Sequence, residues 1–185
     1  FAGALREKMP WLPIEEEGRL EDTGLRDLFV ERVFALRRLR ELFHGRWTAG
    51  QVAAFHTAHK LQLMAHSQAG YRALGPLVAD VRKRPRAEFR EAYETLFLES
   101  FSKRVSTGRH VNVLQHMMGH FKKTLDARAR ADFADSIEEF RRGETTLLVP
   151  LALIRHTARR LGVGYLEGQT YLSPEPAERK LRFRP

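Results

Sequence analysis

The chain contains no cysteine. Disulfides, thiolate nucleophiles and cysteine-held zinc or iron–sulfur sites are therefore excluded from it. A reducing, cytoplasmic setting suits such a chain. It also lacks any apolar run long enough to cross a bilayer, and no signal peptide opens it. Acidic residues are in the minority: 23 Asp and Glu stand against 32 Lys and Arg, a net charge of +9. The imbalance is uneven. Three bases against six acids leave −3 on residues 1–22, so the remainder holds 29 bases against 17 acids, or +12. A polyanionic partner follows, with nucleic acid ahead of an acidic membrane face.

The material that is present is ordinary for a globular protein: 43% hydrophobic and 30% charged residues. A length of 185 residues suffices for one domain with a core. The chain begins at Phe1 rather than Met, and a piece of something longer is expected. Residues 1–22 read as a lead-in, because prolines bracket Trp11-Leu12 and Glu15-Glu16-Glu17-Gly18 follows. Helical periodicity governs residues 23–185.

Thr23 is expected to cap a helix with the stripe Leu25, Phe29, Val33, Leu36, Leu39 and Phe43, ended by Gly45. Thr48 and Gln51 form a capping box for a helix reaching about His66. Tyr71–Val81 is apolar, with a kink or break expected at Gly75-Pro76. Pro85 opens the next helix, with Phe89, Ala92, Tyr93, Leu96 and Phe97 inward, and Ser106-Thr107-Gly108 breaks it. Further helices follow over about 109–125, from Asp126 to Gly143, and from Pro150 to Gly162, with a short one after Ser173-Pro174. No stretch keeps a strand period. The expected fold is all-α, a single-domain bundle of about seven helices.

The helix over 109–125 carries the chemical signal. Val111, Leu114, Met118, Phe121 and Leu125 make a core stripe. A second face carries Asn112, Gln115, His116, Gly119, Lys122 and Lys123, with no carboxylate. Amides suit base edges and ribose hydroxyls, and ammonium groups suit phosphates. A glycine inside a helix costs about 1 kcal/mol and is tolerated where a backbone or partner helix comes close. The helix over 48–66 adds His56, His59, Lys60, His66 and Ser67 along one line. Paired basic residues recur at Lys103-Arg104, Arg109-His110, Arg141-Arg142 and Arg155-His156. Several of these answer to helix C-terminal carbonyls and dipoles.

Catalytic motifs are missing. His116 and His120 are spaced i, i+4, but Met117-Met118-Gly119 between them holds no glutamate and no carboxylate stands at ligand spacing. Ser67, Ser100, Ser102 and Ser106 lack an elbow-like glycine frame, and no phosphate-cradling glycine loop occurs. No catalytic residue and no metal ligand is assigned.

Four ordered segments resemble the YbgA-type family. They are Phe55–Ser67 with Tyr71-Arg72-Ala73-Leu74-Gly75, His110–Lys123, Arg141-Arg142-Gly143-Glu144 with Val149-Pro150-Leu151, and Tyr171–Pro176. The similarity covers most of residues 23–183. Pro10–Asp22 is similar to the junction found where this domain follows a thiouracil-desulfidase domain. The resemblance implies that such two-domain proteins remove sulfur from thiolated uridine, including 4-thiouridine in tRNA. It implies an iron–sulfur cluster on the desulfidase domain and tRNA binding by the helical one. Standalone members exist.

The resulting expectation is a monomeric, cytoplasmic, tRNA-binding accessory domain, not itself an enzyme, with the desulfidase domain as its partner in cis and no membrane partner. His59, Lys60, Arg72, Asn112, Gln115, His116, Lys122 and Lys123 are expected to meet RNA, with Arg104, Arg109 and Arg155 on phosphates. Two alternatives are a standalone histidine-dependent enzyme and a protein-interaction module. The first predicts a metal held by His116 and a histidine of the 48–66 helix. The second predicts a contiguous exposed apolar patch.

Overall fold

A computed structural model describes residues 2–9, 11–102 and 104–182. Pro10 and Lys103, named above in a junction segment and a basic pair, lie outside them, as does Arg184, expected with Lys180 and Arg182 at the end of the short helix after Ser173-Pro174. In chain order the helices are α1 (Ala2–Lys8), α2 (Thr23–Phe43), α3 (Ala49–His66), α4 (Gln68–Ala79), α5 (Arg86–Ser100), α6 (Thr107–Gly119), α7 (Ala127–Arg142), α8 (Leu148–Leu161), α9 (Gly164–Glu167) and α10 (Pro176–Arg182). No strand occurs among the described residues. The all-α expectation holds, and seven of these helices exceed ten residues. The chain divides into two compact units: residues 1–104 with 175–185, and residues 105–174.

In the first unit α4 packs against α3 and α5, and α2 packs against α3, α5 and α10. The core is aromatic. Phe89, Tyr93, Phe97 and Phe101 recur every fourth residue along α5 and its C-cap, and successive ring centroids lie 5.7, 5.9 and 4.9 Å apart. Spacing of i, i+4 puts them on one helix face. Phe43, Trp47 and Leu39 close over them. Burying such rings is the main favourable term in folding this unit.

One polar cluster is also buried. Arg182 of α10 donates to both carboxylate oxygens of Asp27 (2.6 and 3.3 Å) and lies 3.4 Å from Glu31 and 3.3 Å from Glu178. Arg38 donates to Glu178 at 2.6 Å. Gln62 and His66 of α3 donate to the two Glu31 oxygens at 2.8 and 2.9 Å. An acceptor-only carboxylate fixes the proton of His66 on Nε2. Burial pushes the Glu31 carboxyl up, but Arg182 and His66 outweigh it and hold the group well below the usual carboxylate range. Burial wins at Asp27 and Glu178, both raised despite the same arginine. This cluster is the polar part of the seam between α10 and α2.

Several local expectations shift. Residues 2–8 are helical and Glu17–Glu21 forms a 3-10 turn against α2, so the lead-in is more structured than its prolines suggest. Asp22, not Thr23, caps α2, accepting from the Leu25 amide at 2.9 Å. Val33 is 38% exposed, whereas Glu31 and Ala35 are buried. The buried face of α2 is therefore rotated, because it meets α10 as well as the core. Helix α4 runs through Gly75-Pro76 unbroken, its packing against α3 and α5 overriding the proline. The capping box of Thr48 and Gln51 is present as expected.

In the second unit α7 packs against α6 and α8, and α8 also meets α6 and α9. Leu114, Met117, Phe121, Phe133 and Ile154 are among its buried residues. Asp126 caps α7 at 2.8 Å, and Gly143 and Gly162 end α7 and α8 with positive φ of 78° and 64°. Ser106 caps α6 instead of breaking a helix, with Thr107 and Gly108 in its first turn. Helix α6 stops at Gly119, six residues short of its expected end. From His120 to Lys122 the backbone N–H groups reach back three residues rather than four, so the chain turns toward the cap of α7. None of the described helices is long and apolar enough to cross a membrane.

Candidate nucleic-acid interface

The residues singled out by sequence fall on both units: His59, Lys60, Arg72 and Arg104 on the first, and Arg109, Asn112, Gln115, His116, Lys122, Lys123 and Arg155 on the second.

On the second unit α6 turns Val111, Leu114 and Met117 inward. Asn112, Gln115 and His116 are exposed, spaced i, i+3, i+4 on the opposite face. Gly119 continues that face, and a Cβ built there would meet nothing within 4 Å. The glycine therefore serves no helix contact. It leaves open space beside the amides. Lys122 and Lys123 are exposed in the turns after α6, and neither has a carboxylate partner among the described residues. No Asp or Glu occurs between Glu99 and Asp126. Arg109 is exposed at the start of α6, and Arg155 is half-buried on α8. His116 and His120 present their rings edge-on at 5.7 Å, and His120 stacks on Tyr165 at 5.1 Å.

On the first unit the picture divides. His59 is 2% exposed and is not a surface contact. Its Nδ1–H donates to the Phe55 carbonyl at 2.7 Å and its Nε2 accepts from Arg38 at 3.2 Å. Those two bonds require the neutral ring. Burial, with Arg38 nearby, lowers its pKa to about 3 against the Phe55 carbonyl. His56 and His66 are buried too, so the histidine line of α3 is core rather than interface. A residue type that reads as polar in sequence is here satisfied internally. Lys60 is half-buried and Arg72 exposed, and both line a cavity between α3 and α4. Arg104 remains largely exposed, its guanidinium over Gly24 and 3.9 Å from Asp22.

Other arginines are neutralised in place. Arg141 pairs with Glu138 through two bonds (2.7 and 2.5 Å), and Arg142 with Glu144 through two (2.7 and 2.8 Å). Among the described residues no group of three or more His, Asp and Glu is placed to hold a metal ion.

The family described as "Protein of unknown function (DUF1722)" matches residues 60–176, more than half of the chain. The chain belongs to this family. The DUF1722 match takes in α6 and its following turns, and α4 with the end of α3. The "Uncharacterized protein YbgA" of Escherichia coli (strain K12) is 35% identical over 157 residues, covering 84% of this chain and 93% of that protein. The YbgA-type resemblance is thereby confirmed, and the aligned stretch takes in nearly the whole of that relative. No solved structure matches the chain.

Proposed function

We propose that this DUF1722 domain binds tRNA and serves a desulfidase that removes sulfur from thiolated uridine, 4-thiouridine among them. The observation that carries the binding role is the exposed α6 face. Asn112, Gln115 and His116 offer donors and acceptors at the spacing of one helix face, and Lys122 and Lys123, with no carboxylate partner among the described residues, stand at its end. Lysines of that kind neutralise phosphates, and amides reach sugars or unpaired bases. The net charge of +9 supports a polyanionic partner. The tRNA and sulfur specificity rests on the family resemblance. An iron–sulfur cluster held by thiolates does not fit this chain, which has no cysteine, so the chemistry is assigned to a separate domain acting in cis. In this role the chain carries no catalytic residue.

Lys122→Ala with Lys123→Ala tests the reading. The double variant is expected to weaken tRNA binding and to flatten its salt dependence. Each lost phosphate contact reduces the slope of log K against log salt by about 0.7–0.9. An unchanged slope removes both lysines from the interface.

A further inference from the structure

Between α3 and α4 lies a cavity of about 470 Å³, within the ~300–1,000 Å³ range of small-ligand sites. Its lining is one-sided in charge. Lys60 comes from α3 and Arg72 from α4, and no carboxylate among the described residues lines it. Neither cation has a carboxylate partner among the described residues. Two uncompensated cations over a shared concave surface suit a phosphate, whose oxygens accept from both.

The rest of the lining suits something attached to that phosphate. His56 lines the cavity yet is only 4% exposed, so its imidazole forms part of the floor. Its Nδ1 is 3.3 Å from the buried Tyr93 hydroxyl. Burial, with Lys60 nearby, lowers its pKa to about 4, so the floor presents a neutral imidazole rather than a third cation. With Nδ1 engaged by Tyr93, the ring keeps Nε2 to donate to or accept from a base edge, according to its tautomer. Apart from Arg72, the α4 wall is apolar, with Gly75, Val78 and Ala79, and Tyr71 adds an aromatic ring to the lining. Gly75 lies in that wall, and a Cβ built there would meet nothing within 4 Å.

We propose that this cavity takes a single nucleotide, with its phosphate on Lys60 and Arg72, its base against the wall around Gly75, and the base edge toward His56. The base as the attached group rests on the nucleic-acid reading above, whereas the carboxylate-free cationic lining is an observation of its own. The nucleotide comes either from an RNA strand or from solution as a free nucleoside monophosphate.

Uridine 5′-monophosphate, uridine and inorganic phosphate are titrated into the whole chain by calorimetry, and tRNA binding is measured in parallel. Gly75→Leu fills the cavity without touching a charge, and Arg72→Gln removes one charge without filling it. The monophosphate is expected to bind at least tenfold more tightly than uridine or phosphate, and each variant to weaken it at least tenfold. Circular dichroism checks the fold of Gly75→Leu. Should that variant misfold, Arg72→Gln and the ligand-induced NMR shift of the His56 ring carry the test. A monophosphate that binds no better than phosphate, or that ignores both variants, overturns the proposal. In that case salt-dependent tRNA binding, if present, leaves the family-level reading standing. Monophosphate binding without tRNA binding supports the cavity and sinks the tRNA reading. A tRNA affinity that falls in Gly75→Leu assigns the nucleotide to RNA, and an unchanged one assigns it to the free pool.

Discussion

Replacing Arg182 by Met probes what holds α10 to the first unit. In the folded chain its guanidinium serves three carboxylates, with contacts of 2.6 and 3.3 Å to Asp27, 3.4 Å to Glu31 and 3.3 Å to Glu178. Glu31 keeps Gln62 and His66 after the change, and Glu178 keeps Arg38. Asp27 loses both of its hydrogen bonds to Arg182 and retains the repulsion of Glu31. Leaving a fully buried charge uncompensated costs about 3–5 kcal/mol, an upper bound here because the Asp27 side chain is 26% exposed. The cost depends on pH with a definite sign. Asp27 and Glu178 already have folded-state pKa values above their ordinary ones, and losing Arg182 raises them further. A group whose folded pKa is raised contributes stability below its unfolded pKa and loses it as pH rises through the folded value. The deficit of Arg182→Met is therefore largest near pH 7.5 and shrinks toward pH 5, by about 1.4 kcal/mol per unit of added shift. Both tryptophans, Trp11 and Trp47, lie in the first unit, so urea unfolding followed by tryptophan fluorescence reports on it selectively. A deficit under about 1 kcal/mol, or one equal at both pH values, refutes the reasoning.

The parent chain should itself lose stability on mild acidification. His56 and His59 keep folded pKa values of about 4 and about 3, against an ordinary 6.5. Depressed folded values give stability that is complete above pH 6.5 and lost as pH falls, roughly 1–2 kcal/mol per ring between pH 7 and 5, opposed in part by Asp27 and Glu178. His59→Gln should flatten that fall in the same fluorescence assay, and an unaltered pH profile contradicts the neutral buried ring. Gly70 is needed where α4 meets α5. A Cβ there would collide with Ser100, whose hydroxyl donates to the Leu96 carbonyl at 2.7 Å. Gly70→Ala should cost about 1–3 kcal/mol, with Ser100→Gly restoring most of it in the double variant, and no restoration refutes the contact.

Periodicity alone carried most of the fold to the page. The caps at Asp126 and Thr48, the stops at Gly143 and Gly162, and the Phe89–Tyr93–Phe97 stripe all lie where local chemistry puts them. Local chemistry misled where tertiary partners decide. Helix α2 buries a charged face because α10 returns to cover it, and nothing near Glu31 in sequence announces an arginine 151 residues away. The only local hint was the i, i+4 pair of Asp27 and Glu31 beside Val30 and Ala35, which reads as surface until Arg182 arrives. The same holds for His59, whose partner Arg38 comes from another helix and is visible only in three dimensions. On the candidate interface the amide face of α6 was legible, since helix register places Asn112, Gln115 and His116 together. The position of Lys122 and Lys123 was not, because the helix gives way to turns at Gly119. The cavity holding Lys60 and Arg72 was hidden for the same reason as the charged seam: its walls come from two helices.

The most direct test of the tRNA-binding role is binding of the whole chain to bulk tRNA at several salt concentrations, with duplex DNA of similar length as competitor. The account predicts sub-micromolar binding that falls steeply with salt and resists the DNA. Weak binding that DNA displaces equally well would mean that the positive charge is generic, and would contradict it.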